Sequence, residues 1–149
     1  MRLPTLPSFL RRTTKVPPAA RPAPVRSPDV LHIEYDPRPD GDADPGEVVW
    51  TWVPFEEDPS KGKDRPVLVI GHLGIDLAVL PLTSKDKRRY GDTIELGTGA
   101  WDKGRRISYV RLDRVLRVAP NKVRREGAAL DRPRFDHVVT RLEAFHRSF

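Results

Sequence analysis

The feature that most constrains the fold is a succession of short apolar segments, rich in β-branched and aromatic residues, between residues 47 and 118. Each segment ends at glycine, proline or charged residues, which is typical of strands joined by turns. The predicted strands are Glu47–Val53, Val67–Ile70, Ile75–Leu82, Asp92–Leu96 and Ile107–Val118, with a turn at Gly71–Gly74. Short strands with no long helical pattern between them favour a small β-barrel.

The C-terminal residues show helical periodicity instead. Asp131 is a plausible N-cap, and Leu130 and Phe135 fit a hydrophobic staple across it. Apolar residues then recur at the spacing of one helix face: Phe135, Val138, Val139, Leu142 and Phe145. The fold class is therefore predicted to be mainly β (α+β), a barrel with a C-terminal helix. A further short helix is predicted over Pro120–Arg125.

The N-terminal region differs in composition. Residues 1–28 contain seven prolines and six basic residues but no acidic residue, which predicts a disordered arm rather than an amphipathic transit peptide. Residues 36–46 are rich in turn formers, and Val30–Tyr35 is a candidate short edge strand. The predicted organisation is a flexible arm over residues 1–45 and a barrel domain over residues 46–149.

Charge is distributed unevenly along the chain. The net charge of +6 combines +6 over residues 1–28, −9 over residues 29–60 and +9 over residues 61–149. A basic body can meet a polyanion, although a solvated charge pattern without a partner remains the alternative. The chain has no cysteine, which excludes disulfides and is compatible with the predicted cytoplasmic location. No apolar run is long enough to span a membrane.

Arg111 and Asp113 are separated by one residue within the last predicted strand, so both side chains are expected on one face. Val110 and Leu112 alternate with them and are predicted to face the core. A guanidinium and a carboxylate on a rigid strand suit phosphodiester cleavage by proton transfer. From these residues alone, an ordinary exposed ion pair remains the alternative.

Several other residues allow both a structural and a functional interpretation. Thr83 and Ser84 either cap a turn or bind a ligand, and His72 is either an exposed turn residue or a general base. Trp50 and Trp52 share a strand face and either pack in the core or stack on bases. The sequence has no histidine and carboxylate spacing typical of a metal site, and no glycine-rich phosphate loop.

Four motifs follow one another in order. They are Gly46-Glu47-Val48-Val49-Trp50, Arg65-Pro66-Val67-Leu68-Val69-Ile70, Pro81-Leu82-Thr83-Ser84, and Ser108 to Val118 ahead of the C-terminal helix. In this order and spacing they resemble the PemK/MazF family of type II toxin–antitoxin ribonucleases, over about residues 46–145. The resemblance implies an SH3-like barrel of the PemK/MazF/CcdB type, usually a homodimer, which cuts single-stranded RNA without a metal.

The resemblance also implies roles for individual residues. Arg65 matches the arginine of the family's Arg-Pro motif, and Thr83 matches a threonine at the end of the central strand. Arg111 and Asp113 match an Arg-x-Asp pair proposed as acid and base. Two positions depart from the pattern: the loop before Arg65 has no histidine, and Arg114 replaces a glutamine.

The predicted function is a metal-independent endoribonuclease toxin that needs no cofactor and is neutralised by an antitoxin protein. Asp113 is the predicted base for the 2′-OH, while Arg111 and Arg65 are predicted phosphate clamps. Thr83 completes the predicted catalytic set. Ser84, Lys85 and Ser108 are predicted to bind the substrate.

Two other functions remain open from the sequence. A barrel of this type also occurs in CcdB-like toxins, which poison DNA gyrase by protein contact without catalysis. A decayed family member that only binds nucleic acid is the third possibility, and the two departures from the family pattern favour it.

Overall fold

The longest strand, Gly62–Leu73, is the centre of the structure. The computed structural model describes residues 30–147; the predicted arm over residues 1–28 lies outside the described residues. In chain order the elements are β1 (Leu31–Ile33), β2 (Glu47–Pro54), β3 (Gly62–Leu73), β4 (Asp76–Thr83), β5 (Thr93–Gly97), β6 (Ser108–Arg111), β7 (Leu116–Val118), β8 (Arg124–Ala129) and α1 (Arg132–Arg147).

All strand pairs are antiparallel, in the order β5-β6-β4-β3-β2-β8. β1 continues the line of β2, because it pairs with the C-terminal end of β3. In the same way β6 and β7 lie one after the other along β4, with Val110 opposite Leu82 and Val118 opposite Leu77. The predicted mainly β architecture with a C-terminal helix is confirmed.

The strand predicted over Ile107–Val118 is interrupted. β6 ends at Arg111, and residues 112–115 turn before β7 begins at Leu116. At the break, the backbone N–H of Leu112 donates to the carbonyl of Asp92 at 2.7 Å, and the Leu112 carbonyl accepts a hydrogen bond from His146 at 3.1 Å. Asp113 therefore lies in the turn that follows β6 and not on a strand.

Two apolar clusters lie on opposite faces of the central strands. Alternate residues of β3 separate between them: Leu68 and Ile70 belong to the larger cluster, Val67 and Val69 to the smaller. This alternation follows from the two-residue period of a strand. The larger cluster includes the buried face of α1, so the helix covers that side of the sheet.

The smaller cluster is covered by β7 and the segment that follows it. A 3₁₀ turn, Pro120–Lys122, leads from β7 beside β4 to β8 beside β2. Leu116, Val118 and Val123 of this segment pack on the smaller cluster, and the hydroxyl of Thr51 donates to the carbonyl of Lys122 at 3.1 Å. The sheet thereby curls into a small, partly closed barrel.

The C-terminal helix begins as its sequence predicts. The backbone N–H of Arg134 donates to the carboxylate of Asp131 at 3.1 Å, and that of Phe135 donates to the Asp131 carbonyl at 3.0 Å. Leu130 and Phe135 are both buried in the larger cluster, as a hydrophobic staple requires. Among the described residues, no helix is long and apolar enough to cross a membrane.

Part of residues 30–45, a range that the sequence analysis assigns to the flexible arm, packs on the barrel, although residues 38–42 are exposed. Leu31 and Ile33 of β1 are buried in the larger cluster, in agreement with the candidate strand at Val30–Tyr35. The Tyr35 hydroxyl donates to the carbonyl of Leu130 at 2.6 Å. The folded body therefore begins N-terminal to Gly46.

Two further segments differ from the sequence predictions. Gly71, His72 and Leu73 lie within β3 and not in a turn, since they pair with β1 and β4. Residues 124–129 form β8, where a short helix was predicted to reach Arg125. A Cβ atom at Gly127 would collide with the carbonyl oxygen of Val48, so glycine is required for β8 to approach β2.

Candidate active site

A cationic groove lies where β3, the end of β4 and the turn after β6 meet the loop between β2 and β3. Its volume is about 290 Å³. Six basic side chains line it, and two acidic ones come from the β2–β3 loop. They are Lys63, Arg65, Lys85, Lys87, Arg111 and Arg114, with Glu56 and Glu57. The groove brings together Arg65, Thr83, Ser84, Lys85 and Arg111 of the residues predicted from sequence.

Arg111 is held by two carboxylates. Its Nε and Nη2 donate to the two oxygens of Asp113 at 3.1 and 2.5 Å, and its Nη1 donates to Oε1 of Glu56 at 2.9 Å. These hydrogen bonds raise the pKa of Arg111 above its ordinary value. The guanidinium is thus fixed in charge and in position, as a phosphate-binding group requires.

Arg65 has the opposite surroundings. No ion pair or hydrogen bond holds its guanidinium within the described part of the chain. Burial, followed by the charges of Arg114 and Arg111, lowers its pKa. A half-buried cation beside two other cations is stabilised by an incoming anion, because the anion supplies the missing countercharge.

Arg114 is anchored to the last residue of β2. Its Nη2 donates to the carbonyl of Pro54 at 2.5 Å. The residue that departs from the family pattern therefore adds a third guanidinium to the corner formed by Arg65 and Arg111.

The end of β4 supplies hydroxyl groups. The Thr83 hydroxyl accepts a hydrogen bond from the backbone N–H of Lys85 at 3.1 Å, so it caps the turn that presents Ser84 and Lys85. Both of these residues are exposed in the groove. The structural and the functional interpretations of Thr83 are compatible, since its hydroxyl shapes the turn while its side chain lines the groove.

Two predicted site residues lie elsewhere. Ser108 is buried, and its hydroxyl accepts a hydrogen bond from the indole N–H of Trp101 at 3.1 Å. Asp113 lies behind Arg111 and does not line the groove. His72 approaches Glu34 at 3.7 Å and does not reach the groove either.

The two tryptophans of β2 have separate environments. The indole N–H of Trp50 donates to the carbonyl of Trp101 at 2.9 Å, whereas Trp52 is 50% exposed. Neither of them lines the groove.

Sequence reasoning missed Glu56, Lys63, Lys87 and Arg114 as site residues. The two lysines carried a usable signal, because each lies two residues from a predicted site residue and therefore on the same face or turn. Glu56 carried none, since nothing in the run Glu56-Glu57-Asp58 singles out one carboxylate.

A comparison with curated proteins finds no significant match. Among solved structures, the MazE–MazF complex of Deinococcus radiodurans matches with 19% identity and a TM-score of 0.48, over 73% of this chain and 96% of that one. The family model described as the PemK-like, MazF-like toxin of type II toxin–antitoxin systems matches residues 44–146. Since this match spans more than half of the sequence, the chain belongs to the PemK-like, MazF-like toxin family.

Proposed function

We propose that the protein is an endoribonuclease toxin that cuts single-stranded RNA in the cytoplasm without a metal ion. The observation that carries this proposal is the corner formed by Arg65, Arg111 and Arg114, where three guanidiniums outnumber the one carboxylate, Glu57, whose charge acts on Arg65. RNA phosphates supply the missing negative charge, and family membership makes RNA cleavage the typical activity.

The three arginines would bind the scissile phosphate and stabilise the additional negative charge of the phosphorane formed by attack of the 2′-OH. Ser84 and Lys85, exposed on the turn that Thr83 caps, would bind the same or an adjacent phosphate. Arg111 enters this arrangement in a fixed orientation, because Asp113 accepts from two of its nitrogens. Asp113 is therefore proposed to position Arg111.

We also propose an antitoxin protein and a second copy of this chain as partners. Both proposals come from membership in a type II toxin–antitoxin family. An antitoxin that brings carboxylates to the arginine corner would block the groove by the same electrostatics that bind RNA.

The test is to incubate the purified protein with a long RNA in EDTA and to map the new ends. We expect discrete cuts that leave 2′,3′-cyclic phosphates, and a loss of cutting of at least 100-fold in Arg65→Met and Arg111→Met. The matched control is Arg106→Met, which removes an exposed arginine paired with Asp102 outside the groove.

Intact RNA under these conditions would contradict the proposal. Binding with a steep salt dependence but without cuts would identify a nucleic-acid-binding protein instead. If neither binding nor cutting is observed, the gyrase-type alternative is the one to pursue.

A further inference from the structure

We infer that Glu56, from the loop between β2 and β3, is the general base that accepts the proton of the 2′-OH. This inference rests on the proposed ribonuclease function and assigns a role to a residue that the sequence did not single out.

Asp113, the base predicted from sequence, is poorly placed for this step. Each of its carboxylate oxygens already accepts a hydrogen bond from Arg111. Its side chain is 24% exposed, and it lies behind Arg111 rather than in the groove. Since Asp113 does not line the groove, a substrate hydroxyl bound there would not meet its carboxylate.

Glu56 meets the geometric requirements that Asp113 does not. It lines the groove, and its side chain is 53% exposed. Only Oε1 is engaged, by Nη1 of Arg111 at 2.9 Å. Among the described residues, Oε2 has no hydrogen-bond partner and is free to meet a substrate hydroxyl.

The contact with Arg111 gives Glu56 a definite place relative to the substrate. The same guanidinium that clamps the phosphate would hold the carboxylate, so the base lies beside the attacking oxygen and not elsewhere in the groove. The loop that carries Glu56 is closed at its ends by a hydrogen bond from the N–H of Phe55 to the carbonyl of Lys61 at 2.8 Å. This bond limits the freedom of the residue that follows Phe55.

Oε2 of Glu56 takes the 2′-OH proton while the 2′-oxygen forms a bond to phosphorus. The bond from phosphorus to the 5′-oxygen breaks, and that oxygen keeps the electron pair and takes a proton from a water molecule in the open groove. The products are a 2′,3′-cyclic phosphate and a 5′-hydroxyl, and Glu56 returns its proton to the solvent.

The test is single-turnover cleavage of an RNA oligonucleotide built around a mapped cut. Glu56→Gln keeps an oxygen that can accept from Arg111 but cannot take up the proton. We expect it to lower the cleavage rate by about 100-fold or more. Asp58→Asn removes one negative charge from the same loop but outside the groove, and it keeps an oxygen that accepts from Ser60. We expect its rate to change by less than about threefold. Glu56→Asp retains a carboxylate, and we expect an intermediate rate.

Affinity is measured separately with the same oligonucleotide carrying a 2′-deoxy group at the cut, which cannot react. We expect Glu56→Gln to bind it at least as tightly as Asp58→Asn does, because each change removes one negative charge from this loop. Equal rates for these two variants would overturn the inference. So would tighter binding together with faster cleavage in Glu56→Gln, which would make Glu56 a competing anion. If the wild type cuts no RNA, the proposed function itself fails.

Discussion

Ser108 is predicted from the sequence to bind the substrate, but in the structure its side chain makes a hydrogen bond in the core. Its hydroxyl accepts the hydrogen bond of the buried Trp101 indole at 3.1 Å. We expect Ser108→Ala to lower the free energy of unfolding by about 1 kcal/mol, since the indole N–H loses its partner in the interior. Cleavage of RNA should stay at the wild-type rate. Urea unfolding and an RNA cleavage assay check the two expectations.

Ser84→Ala is the matched control for this prediction. Ser84 is exposed in the groove, so its loss should leave the unfolding midpoint unchanged and weaken RNA binding. If Ser108→Ala instead lost activity without losing stability, Ser108 would be the substrate-binding residue that the sequence analysis predicted.

For individual residues, the sequence predicts contacts between neighbours in the chain and misses contacts between residues that are far apart in it. The spacing of Arg111 and Asp113 was enough to bring them together, even though the strand ends between them, because two residues of separation allow contact in a turn as well. Glu56 lies 55 positions away from Arg111. Only the path of the β2–β3 loop decides which of several neighbouring acids reaches the guanidinium.

Among the elements, α1 is the one whose start can be tested most directly. Asp131 accepts from the backbone N–H of Arg134 and from its Nε, and these contacts lower the pKa of Asp131. We expect Asp131→Ala to destabilise the protein by about 1 kcal/mol, while Asp131→Asn, which keeps a capping oxygen, should cost about half of that or less. Urea midpoints at neutral pH measure both effects. Equal midpoints for the two variants would show that the cap contributes nothing.

α1 could be predicted from the sequence, whereas β8 could not. The helix carries its own signals, a cap and an apolar face of 3.6-residue period. The strand Arg124–Ala129 (Arg-Arg-Glu-Gly-Ala-Ala) contains no β-branched residue. It is a strand because it pairs with β2, and because Gly127 allows the close approach at Val48. Such tertiary determinants leave no local pattern in a sequence.

For the molecule as a whole, the acidic segment between β1 and β2 links stability to pH. Burial, then a hydrogen bond to Asp40, and then the charges of Asp40 and Glu47 raise the pKa of Asp44 to about 7. The unfolded chain loses this proton near pH 4. Between about pH 4 and pH 7 the folded state therefore holds a proton that the unfolded state lacks, and stability falls as pH rises through this window.

We expect Asp44→Asn to remove that slope and to stabilise the protein above pH 7 by ~1 kcal/mol, a value reduced for the partial exposure of this side chain. Urea unfolding of the wild type and the variant at several pH values gives the measurement. Asp42→Asn, which removes a charge from the same segment, should keep the wild-type slope. If the free energy of unfolding of Asp44→Asn still falls between pH 4 and pH 7, a group other than Asp44 is responsible for the pH dependence.

The excess of positive charge around Arg65 also has a thermodynamic consequence. A polyanion that binds the folded groove but not the unfolded chain stabilises the fold by mass action, about 2.7 kcal/mol at a ligand concentration 100 times its Kd. The melting temperature of the protein therefore reports the occupancy of the groove. The melting temperature responds to binding and does not require cleavage. It therefore ranks RNA sequences and acidic peptides by their occupancy of the groove on one scale, whether or not the protein cuts them.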